Sequence, residues 1–186
     1  MEIEIEGHGT RNKRIGILIA LMATALAFTE MAARNADTDV VRETVEASDT
    51  WAFFQAKTIR AAMLRADARA LQLETAGRPG TDETQIASTI ADWQAIAARE
   101  DSEPSTGEGR KELAAKAQGI EKHRDDRNAA KETYELGSGA LELGILLASS
   151  AIVTGLLPLA FVGGAFGVAG SALALLGWFA PHLIGG

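Results

Sequence analysis

SGALELGILLASSAIVTGLLPLAFVGGAFGVAGSALALLGWFAPHLIGG, residues 138–186, carries one charged side chain, Glu142, and is long enough to cross a bilayer twice. The rest of the chain has to be placed relative to this run. None of the 18 Lys and Arg lies beyond Lys131, and beyond Gly137 the only acid is Glu142. A highly charged middle is therefore joined to an uncharged end, and the whole-chain figures of 47% hydrophobic and 23% charged average two chemical classes.

Pro158 divides the terminal run into two predicted membrane helices, 138–158 and 164–184, with Leu159 to Gly163 as the turn. In the second of these, Gly163, Gly164, Gly167, Gly170 and Gly177 recur at the three- and four-residue spacings that let membrane helices pack closely. Trp178, Phe179 and His182 fit an interfacial belt near its end.

The N-terminal end holds a third apolar segment. Residues 1–14 form a short polar tail, acidic at Glu2, Glu4 and Glu6, broken by Gly7 and Gly9, and closed by Arg11, Lys13 and Arg14. Residues 15–33 then read as a first membrane helix of about 1.5 Å per residue, near the thickness of the hydrocarbon core. The same basic-then-apolar order fits a signal peptide, with Ala32-Ala33 as a small-residue cleavage site. The uninterrupted helical pattern downstream favours a membrane helix.

Between the first two spans, residues 34–137 predict an extramembrane helical hairpin that resembles a coiled coil. From Arg34 to Ala76 there is no Pro or Gly, and Ala, Arg, Glu, Leu and Gln dominate, which predicts one helix over 35–76. A seam of four-three spacing runs through Ala52, Ala56, Ile59, Met63, Ala66, Ala70 and Leu73, the heptad period. Its alanines bury little area, so the seam favours a multi-helix assembly supported by Phe53, Leu64 and Leu71. Gly77-Arg-Pro-Gly80 is a breaker, and Thr81 with Asp82 caps a helix over 83–99 that shows Ile86, Ile90, Trp93 and Ala97 on one face, with Ile96 beside them. Residues 100–109, EDSEPSTGEG, read as a loop before a helix over 111–137, whose sparse apolar positions are Leu113, Ala117, Ile120 and Tyr134. The fold class is thus all-α, a membrane protein with three transmembrane helices and a helical hairpin between spans 1 and 2.

Three spans place the termini on opposite sides. Arg11, Lys13 and Arg14 hold the N-terminus in the cytoplasm and send the hairpin to the periplasm. Arg34, Arg42, Lys122, Arg124, Arg127 and Lys131 oppose this from the hairpin side, but segment 34–137 is longer than the loops over which the positive-inside bias counts well.

Composition excludes several functions. A net charge of −7 with no basic patch argues against nucleic-acid binding. With no cysteine there is no disulfide, thiolate nucleophile or Cys-ligated zinc. His8, His123 and His182 share no ligand spacing, and HEXXH, Walker A, GxSxG and GxGxxG patterns are absent, so no enzyme, cofactor or metal is expected. His123 with Asp126 reads as a solvated face. Two features remain. Glu30 and Glu142 are the acids inside the apolar spans, which marks either an ion pathway or interfacial acids, with Glu30 paired along its helix to Arg34. Trp51, Phe53 and Phe54, with Gln55 and Lys57 on polar faces, form the densest aromatic patch, which reads as helix packing before ligand binding.

The stretch Glu46-Ala-Ser-Asp49, Trp51-Ala-Phe-Phe-Gln-Ala-Lys57, Ile59-Arg60 resembles an uncharacterised family of bacterial membrane proteins, a domain of unknown function with an "EAS…WA, two aromatics, QAK" signature after a first membrane helix. The likeness continues through Glu121 to Tyr134 and Leu147 to Thr154. Family members often carry basic residues after that Thr, whereas Gly155-Leu-Leu-Pro158 follows here. The resemblance implies a three-span inner-membrane protein without an assigned activity. The expected function is a homo-oligomeric scaffold in contact with membrane lipid and an unidentified protein partner. The alternative is a channel or transporter component with a pathway near Glu30 and Glu142.

Overall fold

The computed structural model describes residues 2–76, 82–180 and 183. Among the described residues four helices follow one another, α1 (Glu2–Thr75), α2 (Glu83–Asp101), α3 (Arg110–Thr154) and α4 (Leu157–Phe179). Three of them, α1, α3 and α4, contain stretches long and apolar enough to cross a membrane. The chain clusters into two compact units, residues 1–41 with 124–186, and residues 42–123, so α1 and α3 each contribute to both.

In the first unit, Ile15 and Met22 of α1 meet Leu141, Ala148 and Ala151 of α3 and Ala160 of α4. Glycine sets the distance between α3 and α4. A Cβ on Gly163 would lie 2.7 Å from the Gly144 carbonyl oxygen and 2.9 Å from the Ala148 nitrogen, and one on Gly170 would lie 2.6 Å from the Gly137 oxygen. On Gly177 it would meet the Tyr134 ring, and Gly167 leaves room for the Met22 thioether of α1. The close-packing glycines Gly163, Gly167, Gly170 and Gly177 thus serve contacts within the chain. A second cluster packs Ala36 of α1 on Ala130 and Tyr134 of α3, and beside it Lys131 reaches Asp37 at 2.6 Å and Arg127 reaches Asp39 at 3.6 Å. The Asp37 hydrogen bond holds the Lys131 ammonium above its ordinary pKa.

Three boundaries differ from the sequence reading. α1 already begins at Glu2 where Gly7 and Gly9 predict a tail, since a glycine inside a helix costs only about 1 kcal/mol relative to alanine. The break in the terminal run falls at Gly155-Leu156, before Pro158 rather than after it. Gly155 takes φ +71°, and the Thr154 hydroxyl accepts from the Leu156 N–H at 3.4 Å. Pro158 then sits in the first turn of α4, where its missing N–H has no helical partner to lose. The second apolar stretch therefore ends at Thr154 instead of 158, and the third starts at Leu157 instead of 164. Finally, Glu100 and Asp101 belong to α2, leaving the loop to Ser102–Gly109.

In the second unit, α1 meets α3 through Trp51–Glu121 and Glu43–His123 and meets α2 through Lys57–Glu100. Asp82 caps α2 by accepting from the Thr84 and Gln85 N–H groups, both at 3.2 Å, as its position predicts. Ile86, Ile90, Trp93, Ala97 and Glu100 turn inward from α2, and Leu113, Ala117 and Ile120 from α3. The breaker Gly77–Gly80 and Thr81 lie outside the described residues. On α1 the heptad seam is displaced. Residues 52, 56, 59, 63, 66, 70 and 73 are all exposed, while Ala47, Phe54, Ala61, Leu64, Ala68 and Leu71 face the other helices. Both faces carry an apolar heptad, so periodicity alone does not choose between them.

Candidate functional site

The aromatic signature on α1 holds the helices of the second unit together. Trp51 and Phe54 pack edge to face at 5.3 Å, and Trp51 Nε1 donates to Glu121 Oε1 of α3 at 2.9 Å. Glu46 lies 3.8 Å from Lys116 of α3. Phe53 and Gln55 are exposed on the outward side. Lys57, expected on a polar face, instead turns inward: only 14% of its side chain is exposed, and its ammonium lies 3.0 Å from Glu100 Oε2 of α2 and 5.5 Å from the centre of the Phe53 ring. A buried carboxylate draws the lysine in, which overrides its preference for solvent.

Glu100 is the centre of this contact. Its side chain is 7% exposed and also meets Arg60 at 3.2 Å. Next to it, Asp101 pairs with Arg65 and, at 3.0 Å, with Arg110. The loop that follows is tied by Glu112, which accepts from the Ser102 hydroxyl at 2.6 Å and the Glu103 N–H at 3.2 Å. The Ser102 hydrogen bond holds the Glu112 carboxyl below its ordinary pKa. Arg99 donates to Glu103 at 2.6 and 3.1 Å, which lowers the Glu103 pKa and raises that of Arg99. Gly109 permits the close approach, because a Cβ there would overlap the Glu112 carboxylate and the backbone at Ser102 and Glu103.

His123 is exposed, as a solvated face predicts, and it also has a partner. Its Nδ1 is 2.6 Å from Oε1 of Glu43, a carboxylate whose side chain is 7% exposed. The other Glu43 oxygen is buried with no hydrogen-bond partner among the described residues. Eighty positions separate the two residues, so only the pairing of α1 with α3 brings them together. The side chain of His8 and all of His182 lie outside the described residues. Among the described residues, no group of three His, Cys, Asp or Glu is placed to hold a metal ion.

The two acids of the apolar stretches remain apart in character. Glu30 accepts from Arg34 at 3.1 Å along its own helix. Glu142 is exposed on α3, between the exposed Leu143 and the fully buried Leu141.

The sequence pattern of a family described as a domain of unknown function, DUF4337, matches residues 11–180. The chain belongs to that family. In this DUF4337 chain the match takes in α2 and α4 whole, most of α1 and all of α3, and with them every cross-helix contact described above. No curated protein and no solved structure matches the chain.

Proposed function

We propose that this protein is a homo-oligomeric scaffold of the bacterial inner membrane, with the helices between its first two spans forming an acidic hairpin that binds partner proteins, and with no catalytic step of its own. The outward apolar face of α1 carries this reading. Ile59, Met63 and Leu73 are 60%, 61% and 70% exposed in a unit whose inward face already holds α2 and α3. A helix that is apolar on two sides has a second surface to cover. The three apolar stretches support residence in a bilayer, and Arg11, Lys13 and Arg14 support a cytoplasmic N-terminus with the hairpin in the periplasm. Two differently tagged copies of the chain, co-expressed and extracted in mild detergent, are expected to purify together on either tag. Recovery of one tag alone counts against the scaffold.

A second reading, a channel or transporter component, is favoured by Glu142. A carboxylate exposed among leucines is costly in lipid, and an assembly of copies that enclosed it would remove the cost. In that reading the assembled spans form a pathway near Glu142 and Glu30. Ion flux through reconstituted vesicles separates the two readings. Flux lost on substitution of both acids by Gln supports a pathway, and flux unchanged by that substitution removes it.

A further inference from the structure

We propose that the outward seam of α1 pairs with the same seam of a second copy, as a parallel, in-register two-stranded coiled coil over residues 52–73. This rests on the oligomeric reading above and names the surface that makes the oligomer.

The first argument is the apolar area that α1 leaves outside the chain. Its inward face is already engaged through Ala47, Phe54, Ala61, Leu64, Ala68 and Leu71, yet Ile59, Met63 and Leu73 stand outward, 60%, 61% and 70% exposed. Covering them with a partner stabilises in proportion to the apolar area buried. The second argument is continuity. Every position of the four-three series from Ala52 to Leu73 is apolar and exposed, and Phe53 extends the stripe sideways.

Charge selects the occupant. With Ala56, Met63 and Ala70 at the a positions, the g positions are Gln55, Ala62 and Arg69, and the e positions are Arg60, Asp67 and Glu74. In a parallel in-register pair each g residue faces the e residue five positions further along the other helix. Arg69 then meets Glu74 of the second copy, Gln55 meets Arg60, and Ala62 meets Asp67. One opposite-charge contact is made twice by symmetry, and no like charges meet. Copies anchored in one bilayer also share a direction, so the pair is parallel.

The chain has no native cysteine, which makes the test direct. Ala52→Cys, Ala56→Cys, Ala66→Cys and Ala70→Cys each place one thiol on the seam, opposite its own copy and within disulfide reach. Thr106→Cys, in the exposed loop after α2, is the control. With the full-length chain in native membranes under mild oxidant, the seam variants are expected to lose their monomer band to a linked dimer, while Thr106→Cys stays monomeric. Failure of the seam variants to link, linkage at Thr106 to the same extent, or linkage of the seam to a different protein would each overturn the proposal. Co-purification of tagged copies separates this failure from that of the oligomeric reading. Copies that associate without seam linkage refute this surface alone, and copies that do not associate refute both.

Discussion

At the scale of single residues, the second unit depends on charges withdrawn from water. Glu100 and Lys57 neutralise each other with little solvent around them, so removing one partner leaves the other buried and unpaired. Glu100→Ala is expected to lower unfolding stability in detergent by about 3 kcal/mol, whereas the double variant Lys57→Met with Glu100→Leu is expected to recover most of the loss. Chemical denaturation of the two variants checks this, and equal losses would refute the pairing. The Ser102–Glu112 tie gives a pH dependence. Because the folded Glu112 carboxyl lies below its ordinary pKa, its contribution is fully present above that ordinary value and is lost as pH falls through the folded value. Glu103, lowered by Arg99, acts in the same direction. Amide exchange in residues 102–112 is expected to quicken as the solution is acidified through this range, and a flat profile would remove the tie. None of these partners was legible in the sequence. Trp51 and Glu121 stand seventy positions apart, and Glu100 sits in a stretch whose Pro, Ser and Gly read as loop. Local pattern reports which residues can pair, but only tertiary packing decides which do.

At the scale of elements, the helices themselves were legible because composition dictates them. The Pro- and Gly-free stretch from Arg34 makes the later part of α1, the Asp82 cap starts α2, and the apolar face through Ile86, Ile90, Trp93 and Ala97 does turn inward. Two features depart from the sequence pattern for physical reasons. Proline suits the first turn of a helix as well as the position after its end, so Pro158 lies inside α4 and the positive-φ residue Gly155 marks the break. On α1 two apolar heptads compete, and the one that packs inside the chain runs through Ala47, Phe54, Ala61, Leu64, Ala68 and Leu71 rather than through 52–73, with Ala61 and Ala68 letting helices approach. The glycines of α4 follow the same logic of close approach. Gly163→Ala and Gly170→Ala each push a Cβ into backbone of α3 and are expected to cost about 1–3 kcal/mol. Gly164→Ala meets only the Leu18 side chain at 3.6 Å and is expected to be neutral. Thermal stability in detergent distinguishes the adjacent pair, and equal effects at 163 and 164 would contradict the packing.

At the scale of the whole molecule, three apolar stretches, a charged middle and an absence of cysteine were plain from the sequence, and they bound where the chain resides better than which way it faces. Orientation is open to a single labelling experiment. Thr106→Cys in cells with a permeabilised outer membrane is expected to react with a membrane-impermeant thiol reagent, and reaction only after the inner membrane is opened would overturn the proposed periplasmic location of the hairpin. The candidate site was legible only as an aromatic signature. What that signature does, locking α1 to α2 and α3 through Trp51 and Lys57, depends on contacts that no local pattern encodes. With the signature engaged inside the chain and the glycines of α4 occupied by α3 and α1, the outward seam of α1 is the surface proposed for assembly. The most direct measurement of that account is the protein mass of the particle purified in mild detergent, determined by light scattering with the detergent contribution subtracted. The account predicts a whole multiple of the chain mass, two or more, and a monodisperse particle holding one chain would contradict it.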